Sequence, residues 1–133
     1  MKKLKELLDT PTLKLKTSSM SNFQKSFTVE LYKNDIKIGF FKFYLDSDEG
    51  GKNQIEVSSE YRNKGFGKIL LMCAIRTAEI NDIPFVADMD RSDTQFHIYK
   101  SLEDKGFIEA SDGYILTDDG SDYLQSLNII GLQ

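Results

Sequence analysis

Residues 62–68 read Arg-Asn-Lys-Gly-Phe-Gly-Lys, which sets two glycines among three cations. Glycine has no Cβ, so Gly65 and Gly67 permit positive φ and let a ligand come close to the backbone. Arg62 presents a planar fork of donors that matches phosphate oxygens, and Lys64 and Lys68 add point charges beside it. An apolar run on good helix formers follows, so a helix is expected from about Gly67. Its unpaired amides and the positive end of its dipole then face whatever sits over the turn. This is the chemistry of an anion site.

Two familiar anion sites are excluded by spacing. A mononucleotide P-loop needs glycine where Arg62 stands and a hydroxyl where Ile69 follows Lys68. A dinucleotide fingerprint needs a third glycine where Leu70 stands. The elements that must position the turn are a strand before it, alternating around Ile55 and Val57, and the helix after it. The unit spans Gln54 to Ala78.

This stretch resembles the pyrophosphate-binding motif of the GNAT-type N-acetyltransferase superfamily. That motif is Gln or Arg, two residues, Gly, one residue, then Gly or Ala, after a strand ending V-x-x-E-Y-R. Val57, Glu60, Tyr61, Arg62, Gly65 and Gly67 fall in register with it. A second landmark of the family, a helix running into Gly-Phe and then a strand, is matched by Gly106-Phe107. The resemblance covers roughly residues 54 to 110. It implies a mixed α/β fold with a centrally splayed sheet flanked by helices, in which the pantetheine arm of acetyl-coenzyme A slots between two parallel strands. The pyrophosphate would lie on the amides of Arg62, Asn63, Lys64, Gly65, Phe66, Gly67 and Lys68, and the edge amides of the Val57 strand would hold the arm. The same edge lies where a thioester oxyanion develops.

The activity implied is acetyl transfer from acetyl-coenzyme A to a primary amine by direct attack. Glu56, on the opposite side of its strand from Ile55 and Val57, is the candidate base; the alternative is a solvent-facing strand residue. The family often protonates the leaving thiolate from a tyrosine four residues before Gly-Phe, a place held by Leu102 here. Tyr99 lies three residues earlier on nearly the same helix face, about 4.5 Å along the axis, and is either that acid or a packing contact beside Phe96. No metal is implied. The competing class is a non-catalytic GNAT-like protein that binds coenzyme A or a partner; a nucleotide-binding regulator using the same anion site is disfavoured by the spacing.

At 133 residues the chain fits one domain. Residues 1–53 would form an N-terminal helix and antiparallel strands, 54–110 the cofactor-binding core, and 111–133 a C-terminal strand and helix. Cys73 is the only cysteine and lies in the apolar helix, which reads as a buried thiol in a reducing, cytoplasmic setting. Neither a membrane span nor a signal-peptide core is expected. The net charge of −4 argues against broad nucleic-acid binding. It is unevenly placed: six lysines against Glu6 and Asp9 give residues 1–25 a balance of +4, leaving −8 for the rest. An acidic body could attract a cationic acceptor such as an amine, but plain solvated surface charge is the preferred reading.

Taken in order, Leu4, Leu7 and Leu8 suggest a short helix over 2–9, and Leu13 and Leu15 a brief strand before a loop at Ser18–Ser21. The two helices usual in the family at this point have no room, so the N-terminal half is shortened. Runs around Phe27–Leu31 and Ile36–Lys42 make a hairpin, and Phe41, Phe43 and Leu45 suggest a strand covered on both faces. Asp46 to Asn53 reads as a polar connection. After a helix buried on much of its circumference, Phe85–Ala87 is expected as a strand parallel to the first, with Asp88 and Asp90 at its end as acceptor contacts or solvated charges. A helix over Asp93–Lys105 buries Phe96, Tyr99 and Leu102 and stops at Gly106. A second hairpin follows, then a last helix capped by Thr117 or Asp118. His97 reads as surface or packing.

Overall fold

The computed structural model describes residues 13–20, 26–44, 53–86, 93–110 and 113–132. Strands β1 (Leu13–Met20), β2 (Ser26–Lys33), β3 (Ile36–Tyr44) and β4 (Gln54–Val57) form one antiparallel sheet in chain order. Asn34 and Asp35 close the β2–β3 hairpin with φ of 52° and 64°. That two-residue turn has the hand that suits the twist of its strands. β1 is longer than expected and takes in Ser18 and Ser19, because both pair with β2, opposite Thr28 and Phe27. The helix expected over 2–9, Ser21, and the connection 46–52 lie outside the described residues.

One face of the sheet is apolar, with Leu15 opposite Leu31, Val29 opposite Phe41 and Phe27 opposite Phe43. The other carries rows such as Lys16, Glu30, Phe40 and Glu56. Among the described residues the second face of β3 is only partly covered: Phe40 and Tyr44 are half-buried, with Lys37 and Lys42 over their rings at 5.1 and 5.3 Å, and Leu45 lies outside the described residues. The sequence misleads because a bulge changes the alternation. Pairing passes from Leu31–Gly39 to Tyr32–Lys37, so Ile38 is inserted and joins Phe41 and Phe43 in the same core.

Helix α1 (Phe66–Ile80) lies on β2 and β3 and is buried without a break from Ile69 to Ile75. Each large apolar side chain there contributes about 1.5–3 kcal/mol of burial. Burial also pushes the Cys73 thiol up to about 12. Helix α2 (Asp93–Asp104) packs against α1, and Gly106, at φ 74°, ends the turn that follows. Its buried face is Gln95, Tyr99 and Leu102, whereas Phe96 is 45% exposed. Steps of four and three residues select that face, in place of the uniform steps of three read from the sequence.

Strands β5 (Ile108–Ala110) and β6 (Tyr114–Leu116) form a separate hairpin sheet. Residues 83–86 do not enter either sheet as the expected parallel strand; the Phe85 carbonyl instead accepts from the Tyr114 amide at 2.7 Å. Ala87, Asp88 and Asp90 lie outside the described residues. Helix α3 (Asp118–Ser126) is capped by Thr117, whose hydroxyl accepts from the Gly120 amide at 3.0 Å. The chain then returns to the first sheet, where Ile130 bridges β1 in parallel at Lys14. The architecture is mixed α/β, and no helix among the described residues is long and apolar enough to cross a membrane.

Candidate functional site

β4 ends in a single 3₁₀ turn (Ser59–Tyr61), and the chain then reverses through two left-handed residues, Asn63 at φ 62° and Gly65 at φ 86°. Asn tolerates that conformation better than most residues, and Gly tolerates it freely. Gly65 is the N-cap of α1, no side chain caps the helix, and no acidic residue lies in its first turn. The first helical bond runs from the Ile69 amide to the Gly65 carbonyl at 3.3 Å. The amides of Phe66, Gly67 and Lys68 are thus among those without an intrahelical acceptor.

Gly67 does not adopt the positive φ expected for it; it is an ordinary helical residue. Its role is close approach. A Cβ there would come within 2.9 Å of the Ile98 Cδ1 on α2 and 3.7 Å of the Ile55 Cδ1 on β4. Both side chains also line a groove of about 760 Å³, to which β4 contributes Ile55, Glu56 and Val57 and α2 contributes Thr94, Gln95 and Ile98. Tyr61, Arg62, Asn63, Gly65, Phe66, Gly67 and Lys68 complete its lining. Of the residues expected at the cofactor, Lys64 does not line the groove; it is exposed on the turn.

The β4 backbone is oriented by its pairing. The Ser58 amide bonds the Ile38 carbonyl at 2.8 Å, and bonds alternate along an antiparallel ladder. Glu56 therefore bonds inward to β3, and the amide and carbonyl groups of Ile55 and Val57 point away from it, to the open edge of the sheet. Arg62 takes part in this edge, its Nε donating to the Val57 carbonyl at 3.0 Å. The guanidinium is fixed at one end and exposed at the other.

Asn53 and Gln95 hold the walls in place, a pairing the sequence reading missed. Asn53 is buried; its Oδ1 accepts from the Tyr44 amide at 3.4 Å, and its Nδ2 donates to the Val86 carbonyl at 3.0 Å. Gln95 Nε2 donates across to the Asn53 carbonyl at 3.2 Å, which ties α2 to the start of β4. Extending the Leu102–Tyr99 face back by four residues, to Gln95, is the signal that finds it.

Charge concentrates at the turn. Lys68 is held below the usual lysine range, first by burial and then by the nearby Lys105 ammonium. Glu56 is exposed beside Phe40 and lines the groove. Tyr99 is not brought to it: the ring is 1% exposed, lies 4.9 Å from that of Tyr114, and does not line the groove. His97 is exposed, edge-on to Phe96. Among the described residues no cluster of His, Cys, Asp or Glu is arranged to hold a metal ion.

Compared with models of protein families the chain matches none, and no curated protein matches it in sequence.

Proposed function

We propose that the chain is an acetyl-coenzyme A-dependent N-acetyltransferase with a shortened GNAT-like fold. One observation carries the reading: an uncapped helix start without acids, flanked by Arg62 and Lys68, opens into a groove beside the outward-facing edge of β4. Pyrophosphate on the amides of residues 65–68 would meet the helix dipole and two cations at once. The pantetheine arm, an amide chain, would run along Val57 between β4 and α2, where strand-edge groups suit it.

In the reaction the amine lone pair attacks the thioester carbonyl carbon, the carbon–sulfur bond then breaks, and the proton that the nitrogen sheds on becoming an amide neutralises the departing coenzyme thiolate. An alkylamine with a pKa near roughly 10.4 must first lose a proton, and Glu56 is the carboxylate at hand to take it through water. The Val57 amide donates to the oxygen as negative charge develops there. Tyr99, buried against Tyr114, supports the α2 wall from behind.

The second reading, a protein that binds coenzyme A without catalysis, is favoured by that same burial of Tyr99, which keeps its phenol off the groove and leaves Tyr61, beside the turn, as the tyrosine that lines it. Isothermal titration with coenzyme A tests the shared premise; an amine library with acetyl-coenzyme A then separates the two. Saturable binding with turnover of at least one amine supports the enzyme. Binding without turnover across the library supports the second reading, and absence of binding removes both.

A further inference from the structure

A second concavity, of about 680 Å³, adjoins the groove and shares Lys68, Thr94 and Ile98 with it. His97, Lys100 and Lys105 line it as well, with Asp104 as its one carboxylate. Lys68 on the first turn of α1 and Lys105 just past the end of α2 face each other across this one concavity, and the Lys105 ammonium helps to hold Lys68 below the usual lysine range. Two ammonium groups placed together repel, and among the described residues neither Lys68, Lys100 nor Lys105 forms an ion pair with a carboxylate. The arrangement is costly in the free protein and becomes favourable when a dianion sits between the two amines. Lys68 belongs to both concavities, so an anion in the second lies one residue's reach from an anion on the turn.

We propose that this basin holds the 3′-phosphate of coenzyme A, a phosphomonoester dianion, between Lys68 and Lys105 while the turn holds the pyrophosphate. The inference rests on the proposed function for its ligand but adds a recognition element the turn does not need. Dephospho-coenzyme A keeps the pyrophosphate and pantetheine and lacks only the basin's group. Lys105 is exposed and does not itself line the groove, so its replacement leaves the residues of the turn in place.

The test is calorimetric titration of the full chain, and of Lys105→Ala and Lys105→Arg, with coenzyme A and with dephospho-coenzyme A at low salt. The wild type is expected to bind coenzyme A about ten- to hundredfold more tightly than the dephospho form, since one charged contact is worth that much. Lys105→Ala should remove most of that preference without changing affinity for the dephospho form, and Lys105→Arg should keep it. Equal affinity for the two ligands in the wild type overturns the basin assignment and leaves the proposed function standing. So does an equal loss for both ligands in Lys105→Ala. If neither ligand binds the wild type, the proposed function falls and the basin assignment with it.

Discussion

Helices α1 and α3 each follow a strand, and they begin in opposite ways. At α3, Thr117 caps the Gly120 amide, and Asp118 and Asp119 place negative charge in the first turn. This is what helix stability alone favours, since an N-terminus is the positive end of the dipole. α2 also begins with an acid, Asp93. At α1 the cap is a glycine without a side chain, the first turn has no acid, and Lys68 occupies it. Folding gains nothing from adding positive charge to a positive end. The difference separates a helix start completed by its own chain from one that an external anion would complete.

The comparison breaks most sharply at Gly67. Gly67→Glu fills the narrow place between Ile98 and Ile55 and supplies an internal carboxylate to the helix start. Affinity for coenzyme A is expected to fall more than about hundredfold, because like charges juxtaposed in a binding site cost several kcal/mol. Titration checks this, with circular dichroism to follow the fold; unchanged affinity in a folded variant would remove the ligand from the turn. Arg62→Ala should cost about 1.5–3 kcal/mol, or roughly ten- to hundredfold, for coenzyme A. A pantetheine fragment without pyrophosphate should lose much less. Equal losses would mean that Arg62 acts through its bond to the Val57 carbonyl alone.

A pair of substitutions sharpens the same contrast on a smaller scale. Lys68→Glu gives α1 the charge pattern of α3 and should raise stability by about 0.3–1 kcal/mol while weakening coenzyme A. Thr117→Ala should do the reverse, lowering stability by about 0.5–2 kcal/mol and leaving the ligand unaffected. Urea unfolding and titration on the same samples measure both. A Lys68→Glu protein that is less stable than the wild type would show that the start of α1 is already complete.

Much of this contrast is legible in the chain itself, because turn chemistry is local. Gly65 and Gly106 announce positive φ, and Thr117 announces its cap, from residue type and neighbours alone. The buried run Ile69–Ile75 is equally plain. What escapes is decided at a distance. The bulge at Ile38 depends on the partner strand, the pairing of Phe85 depends on Tyr114, and Asn53 is buried only because three separate segments converge on it. Gly67 looks like a second left-handed residue until Ile98, thirty-one positions later, is seen to press on it.

Tyr99 is where the sequence and the three-dimensional arrangement diverge on chemistry, and its substitution carries the smallest expected effect. Helical spacing puts it on the face of Leu102, from which a phenol could be imagined to reach a departing thiolate. That face turns into the core: Tyr99 and Leu102 are each 1% exposed, and the groove is lined instead by Thr94, Gln95 and Ile98 from the preceding turns of α2. The open start of α1 faces the groove, whereas this side of α2 meets Tyr114. Tyr99→Phe keeps the ring and its packing and removes only the hydroxyl. Turnover on a verified amine should therefore stay within about twofold, and stability should shift by no more than roughly 0.5–1.5 kcal/mol, the usual worth of one hydrogen-bonding group. General acid catalysis typically contributes about 10²- to 10⁴-fold. A fall of that size with unchanged affinity for acetyl-coenzyme A would bring the phenol back to the reacting sulfur and require α2 to rotate toward the groove during the reaction.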